Sequence, residues 1–104
     1  MTRNEKIAEV MGWSYYKKDN IFFQGDHWLH SNSWEFCKLL QAKMVADDKL
    51  MICIWQISDK LFSAEAFTRT KRKDGQSLIA EVDADTEPAA IVELFCKVYG
   101  IKEE

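Results

Sequence analysis

The sequence lacks several features that assign a chain to a large class of proteins. Its longest apolar run, residues 50–55, has six residues and is too short to cross a membrane. Residues 1–10 are polar and charged, so we expect no secretory signal. Internal repeats, low-complexity segments and linkers are missing, and 104 residues is the length of one ordinary domain. We therefore expect a single domain over residues 1–104 that is not bound to a membrane.

Cysteine and histidine are scarce. The three cysteines, Cys37, Cys53 and Cys96, are an odd number and sit among apolar neighbours, which is typical of reduced thiols in a cytosolic protein. We therefore predict a cytoplasmic location. No sequence signature of a nucleophilic enzyme surrounds any of the cysteines. We predict no catalytic residue and no cofactor, and a Cys-dependent enzyme is the less favoured alternative.

The two histidines raise the question of a metal site. Together with Cys37 and Asp26, His27 and His30 could supply four zinc ligands. Their spacing is not that of a compact zinc finger, and Cys37 falls on the apolar stripe of a predicted helix. We therefore predict no metal, and a metal-dependent enzyme is a second less favoured alternative.

Positive charge is also in short supply. The net charge is −3, which argues against a general nucleic-acid binder. Residues 1–52 carry seven basic and seven acidic side chains, whereas residues 53–104 carry seven basic and ten acidic ones. All of the acidic excess therefore lies in the second half, and we do not expect direct binding to nucleic acid.

Residues 49–57 form the most apolar stretch of the chain. A run of this length that contains Ile54 and Trp55 indicates a strand buried on both faces. We therefore predict that it is the central strand of a sheet, covered on both sides.

The other elements follow from periodicity, caps and turns. We predict helices over residues 4–11 and 33–45 and a third helix that begins after Thr86 and ends at Gly100. We predict a hairpin over residues 13–18 and 21–24, followed by a loop over residues 27–33. We also predict a three-strand meander, whose second turn contains Asp74-Gly75 and whose strands cover residues 49–57, 61–69 and 77–84. The predicted fold is α+β, an antiparallel sheet packed with three helices as an α/β/α sandwich.

Four positive charges cluster at the predicted tip of the second hairpin of the meander. They are Arg69, Lys71, Arg72 and Lys73. One interpretation is a contact with phosphate, which would make the chain a module that sequesters a nucleotide or other small ligand. The other interpretation is a solvated hairpin whose charges guard the strand ends, and the acidic balance of the chain favours it.

Acidic residues recur at every second position along the last predicted strand and beyond it. Glu81, Asp83 and Asp85 therefore lie on the same, solvent-exposed face of the strand, which indicates an edge strand. Such a stripe can act as a decoy that binds a basic surface of a partner protein. Trp28, in the predicted loop, is a candidate aromatic anchor for the same interface.

Two stretches of the chain resemble a known family when they are read together. NEKIAEVMGW is a short predicted helix that ends on Gly-Trp, and DADTEPAAIVELFCKVYGI is an acidic turn followed by an amphipathic helix. With a middle helix that opens on residues 31–34, they resemble the phage α/β/α-sandwich domain family, small proteins encoded by bacteriophages and their integrated relatives. The matching motifs are Met11-Gly12-Trp13, residues 31–34 and residues 86–91, spread over nearly the whole chain.

The resemblance implies a sandwich fold and an origin in a mobile element, and it implies no catalytic residue. Small phage proteins of this kind often bind and disable a host component, CRISPR nucleases included. This expectation rests on analogy with that class of proteins and not on particular residues of the chain. The sequence therefore predicts a non-enzymatic accessory protein that inhibits a host protein complex. Its predicted partner-binding residues are Glu81, Asp83, Asp85 and Trp28, and a homodimer is a further possible assembly.

Overall fold

A computed structural model describes residues 2–31, 33–68 and 78–102 of the chain. Its elements run in the order helix, three strands, helix, three strands, helix. They are α1 (Arg3–Met11), β1 (Ser14–Tyr16), β2 (Ile21–Gln24), β3 (His27–His30), α2 (Trp34–Ala46), β4 (Leu50–Ser58), β5 (Leu61–Thr68), β6 (Leu78–Ala84) and α3 (Glu87–Val98).

Short polar side chains begin each helix. The hydroxyl oxygens of Ser33 and Thr86 accept hydrogen bonds from the N–H groups of the third helical residues of α2 and α3, both at 3.2 Å. Thr2 does the same for α1 and forms a reciprocal capping box with Glu5. Each cap satisfies a backbone donor that the helix itself leaves unpaired, so the local sequence determines where the helices begin.

The strands form two antiparallel sheets of three strands each. The first has the order β1-β2-β3 and the second the order β4-β5-β6. The α+β class, the three helices and the meander of the second sheet are confirmed. The predicted turn residues Asp74 and Gly75 lie outside the described residues.

The predicted loop over residues 27–33 is wrong in its first half, because His27–His30 is strand β3. Gln24 pairs with His27, which leaves Gly25 and Asp26 as a two-residue turn. Gly25 has φ of +61°, a conformation that glycine adopts without steric cost and that tight hairpin turns require. Gly25 and Asp26 therefore form a second hairpin turn in the first sheet.

The prediction that residues 49–57 form a central, doubly covered strand is also wrong. This segment is β4, which lies at one edge of the second sheet, and β5 is the central strand. The exposed fractions of Trp55 and Ile57 are 47% and 60%, so one face of the strand is open to solvent. The apolar run is misleading because the first half of this edge strand is buried or half-buried and only its second half is exposed, so it carries the same residue types as a buried strand.

An aromatic cluster joins the first sheet to α2. The ring centroids of Phe22 and Phe36 lie 4.7 Å apart in a stacked arrangement, and Trp13 packs against both rings. Phe22 and Phe36 are completely buried. The helix α2 also contacts β4 and α3, and α3 covers β5 and β6, so one apolar core runs from the first sheet to the second.

We expect Phe36→Ala to lower the free energy of unfolding by about 4 kcal/mol, because it removes a buried ring and leaves a cavity. Trp34→Ala is the matched control, since Trp34 lies on the same helix but is 53% exposed. Its expected cost is below about 0.5 kcal/mol. Urea unfolding followed by circular dichroism measures both, and equal effects would contradict the role given to Phe36.

Candidate functional site: an acidic groove on the open sheet face

The two faces of the second sheet differ sharply in size and polarity of side chains. On the inner face Ala64, Ala66 and Ala80 are buried beneath the helices. Their small side chains let the helices approach the sheet closely. The outer face carries larger and more polar side chains, and no described helix packs on it, as the exposed residues of β4 and β6 indicate.

The pairing of the strands builds rows across this outer face. Trp55 of β4 lies beside Ser63 of β5, which lies beside Asp83 of β6. In the next row, Glu65 of β5 stands directly opposite Glu81 of β6. The rows enclose a shallow groove of about 550 Å³, which we call the acidic groove; it is lined by Trp55, Gln56, Ile57, Ser63, Glu65, Glu81 and Asp83.

Like charges meet within the acidic groove. Side chains directly opposite each other on antiparallel strands have Cβ atoms about 5 Å apart, so the carboxylates of Glu65 and Glu81 repel each other. Lys97 of α3 donates a hydrogen bond of 2.9 Å to the backbone carbonyl oxygen of Glu81 and not to its carboxylate. Among residues 2–31, 33–68 and 78–102, no Lys or Arg forms an ion pair with the three carboxylates of the groove. The groove is therefore suited to a cationic partner.

The structure brings together only part of the predicted site. Glu81 and Asp83 are exposed and lie in the acidic groove, and β6 is an edge strand, as the alternation predicted. Asp85 is exposed just beyond the end of β6. Trp28 is 55% exposed but belongs to the first sheet, where it lines a separate groove of about 380 Å³. Trp28 and the acidic stripe therefore belong to different surfaces.

Reasoning from the sequence predicted only Glu81 and Asp83 among the residues that line the groove, and it missed the other five, Trp55 and Glu65 among them. Trp55 was assigned to the core because it ends the apolar run. A usable signal lay in β5, where Ser63 and Glu65 alternate with the small residues Ala64 and Ala66. That alternation indicates a strand with one wet face and one face beneath a helix.

The residues considered for metal binding do not converge. His27 and His30 are three apart in β3 and therefore point to opposite faces of the strand. The Nε2 atom of His27 lies 2.6 Å from a carboxylate oxygen of Glu35, whereas the buried Cys37 thiol donates to the carbonyl oxygen of Pro88 at 3.5 Å. Within the described part of the chain, no group of three His, Cys, Asp or Glu side chains could hold a metal ion.

Burial governs the chemistry of Cys37. Desolvation of the thiolate raises the pKa of the Cys37 thiol to about 11. A thiol with that pKa is almost fully protonated at neutral pH, and the thiolate is the nucleophilic form. The side chain is therefore suited to packing in the core.

The four residues of the predicted basic tip, Arg69, Lys71, Arg72 and Lys73, lie outside the described residues. The pairing of β5 with β6 shows only that residues 69–77 connect two adjacent antiparallel strands. Phosphate binding by these four residues stays a prediction.

Comparisons with protein-family models, with curated proteins and with solved structures each found no match to the chain. The resemblance to the phage sandwich family therefore stays a prediction. Of the described helices, none combines the length and apolar character needed to cross a membrane.

We expect the three cysteines to differ in their rates of reaction with a thiol-specific alkylating reagent. At pH 8 about one in a thousand Cys37 side chains carries a thiolate, and Cys37 and Cys96 are both buried, whereas Cys53 is half-exposed. The native protein should therefore react quickly at one thiol and, in denaturant, at three. The variant Cys53→Ser should lose the fast phase; mass spectrometry that found fast labelling of Cys37 would contradict this assignment.

Proposed function

We propose that the chain is a non-enzymatic accessory protein of a phage or mobile element that binds and inhibits a host protein complex in the bacterial cytoplasm. The target that fits best is a defence complex such as a CRISPR nuclease, which must present a basic surface to nucleic acid. In this proposal the acidic groove occupies that basic surface. The observation that carries the proposal is the like-charge pair Glu65–Glu81 beside the exposed Trp55.

The residues of the groove match the chemistry of arginine. A guanidinium group stacks on an indole ring and donates two parallel hydrogen bonds to a carboxylate. Trp55 offers an exposed indole, and Asp83 lies two strands away in the same row. Surfaces that bind nucleic acid are rich in arginine, so a protein that carries this groove competes for the same side chains.

The like-charge pair has an energetic cost in the free protein. Carboxylates directly opposite each other on neighbouring strands destabilise a sheet by a few tenths of a kcal/mol or more. A cationic partner reverses the sign of this contribution, because each carboxylate then has an opposite charge nearby. The presence of such a pair on an open face supports a binding role, since function often uses locally unfavourable arrangements.

We expect Glu81→Lys to raise the free energy of unfolding by about 0.5 kcal/mol, because it places opposite charges in the row with Glu65. Asp26→Lys is a matched control, since Asp26 is exposed in the turn between β2 and β3 and lies outside the groove. The midpoints of urea unfolding provide the comparison. A Glu81→Lys variant less stable than the control would show that the two carboxylates do not repel.

The same substitutions test the proposed activity. Bacteria with an active CRISPR system are infected with a targeted phage while they express the chain, and plaques are counted. We expect the wild-type chain and Asp26→Lys to restore plaques, and the double variant Glu81→Lys/Asp83→Lys to restore few or none. Equal plaque counts for the double variant and the wild type would contradict the role of the groove.

Affinity capture then identifies the target. The immobilised chain is exposed to bacterial lysate with and without nuclease, and the bound proteins are read by mass spectrometry. We expect one nuclease-resistant protein complex that the double variant does not capture. Capture that disappears with nuclease would transfer the role to the four residues of the predicted basic tip, Arg69, Lys71, Arg72 and Lys73.

A further inference from the structure

One edge of the second sheet lies open beside the acidic groove. Among the strands that the structure describes, β4 pairs only with β5, so its other edge carries backbone N–H and C=O groups that no described strand pairs. The pairing with β5 is regular from Leu50 to Gln56, and a bulge follows between Gln56 and Ser58. β4 contains no charged residue and no proline. Because charges and prolines are the usual protection of a sheet edge, the regular part of β4 is a template for a further strand.

A buried hydroxyl group in the groove has no hydrogen-bond partner. Ser63 of β5 is only 6% exposed and lines the acidic groove. Among the residues that the structure describes, none forms a hydrogen bond with its side chain. Its hydroxyl oxygen is not sealed in the core, because no fully buried polar side-chain atom of the described residues lacks a partner. The hydroxyl therefore opens into the groove, where a donor from a bound molecule would complete its hydrogen bonding.

The charges of the groove determine what an added strand must carry. Glu65 stands opposite Glu81, and on its other side it pairs with Cys53 at the open edge. In the next row Trp55 pairs with Ser63. Since Cys53 is small, an arginine on a strand added to β4 can extend across it toward Glu65, about 10 Å away at two strand spacings. There the guanidinium group would meet the carboxylate, the unpartnered hydroxyl of Ser63 and the indole ring of Trp55.

The inner face of β4 determines the residues between the arginines. Ile52 and Ile54 pair with the buried Ala66 and Ala64, so they lie on the inner face, and both are half-buried. They leave apolar surface next to the open edge. Because successive side chains of a strand point to opposite faces, every second residue of the added strand would pack beside these two side chains. An extended segment in which arginine alternates with apolar residues satisfies both faces.

We propose that the acidic groove and the open edge of β4 together bind an extended segment of the target in which arginine alternates with apolar residues. The segment adds a fourth strand to the second sheet along residues 51–56, with one arginine crossing Cys53 to bind Glu65 and Ser63. This inference rests on the proposed function, because it names the part of the basic partner that the groove recognises. It goes further in requiring backbone pairing in addition to complementary charge.

Synthetic peptides test the recognition of an alternating pattern. One labelled peptide alternates arginine with valine, and a second has the same composition with its arginines grouped together. Fluorescence anisotropy measures the dissociation constant of each peptide from the wild-type chain. We expect the alternating peptide to bind about tenfold more tightly than the grouped peptide, because only the alternating peptide presents all of its arginines to the groove while it pairs with β4.

Backbone methylation tests the pairing itself. Two versions of the alternating peptide carry N-methyl groups on every valine or on every arginine. In an antiparallel pair only one of these two sets of N–H groups points at β4. We expect the dissociation constants of the two methylated peptides to differ by about tenfold, because one of them loses its hydrogen bonds to the edge. Binding through charge alone would treat the two peptides alike.

Two variants of the chain test the contacts of the arginine. Glu65→Gln removes one carboxylate, and we expect the dissociation constant of the alternating peptide to rise by about tenfold. Ser63→Ala removes the unpartnered hydroxyl, and we expect a rise of about fivefold. The midpoint of urea unfolding should stay unchanged in Ser63→Ala, because the hydroxyl has no partner in the free protein. Asp26→Asn, which removes a carboxylate outside the groove, is the control and should bind the peptide as the wild type does.

The outcomes separate this inference from the proposed function. A wild-type chain that does not bind the alternating peptide, that binds the grouped peptide equally well or that binds both methylated peptides alike overturns the added strand. Unchanged binding by Glu65→Gln has the same meaning. So does a free chain that sedimentation velocity shows as a dimer from which the peptide is excluded, since a second copy then occupies the edge. If the peptides behave as expected but plaque counts ignore Glu81→Lys/Asp83→Lys, the proposed function fails and the binding of the basic segment stands.

Discussion

The stacked pair of Phe22 and Phe36 is the contact on which the two halves of the fold depend. Phe22 lies in the middle of the first sheet, and Phe36 lies in the first turns of α2, so their contact fixes the helix against that sheet. One residue further, Cys37 donates to the carbonyl oxygen of Pro88 at the start of α3. The helix thereby transmits the position of the first sheet to α3, which covers the second. The outer face of the second sheet does not pack against these helices and does not contribute to the core.

Local signals in the sequence predicted the elements better than their arrangement. The caps at Ser33 and Thr86 and the meander were recognised because neighbouring residues create them. The position of β4 at the edge of the sheet was not recognised, since strand order depends on contacts between residues far apart in the chain. For the same reason, the alternation of acidic residues along β6 indicated Glu81 and Asp83, whereas it gave no indication of Trp55 and Glu65 on the other two strands. Only the pairing of three strands places those residues in shared rows.

β4 contributes to two surfaces that lie at right angles. Its outer side chains, Trp55 foremost, line the acidic groove, while its backbone edge runs along the side of the sheet.

Alternate side chains of the central strand β5 lie in two different environments, beneath the helices and in the acidic groove. Ala64 and Ala66 face the helices, where a larger side chain has no space, so a larger residue at either position would disturb the packing of the helices on the sheet. Ser63, which is buried, and Glu65, which is half-buried, lie on the opposite face and line the acidic groove, so substitutions there alter the groove and leave the packing beneath the helices unchanged. Within eight residues, one strand therefore separates two kinds of substitution: changes at alternate positions can reshape the acidic groove while the packing of the helices on the sheet stays constant.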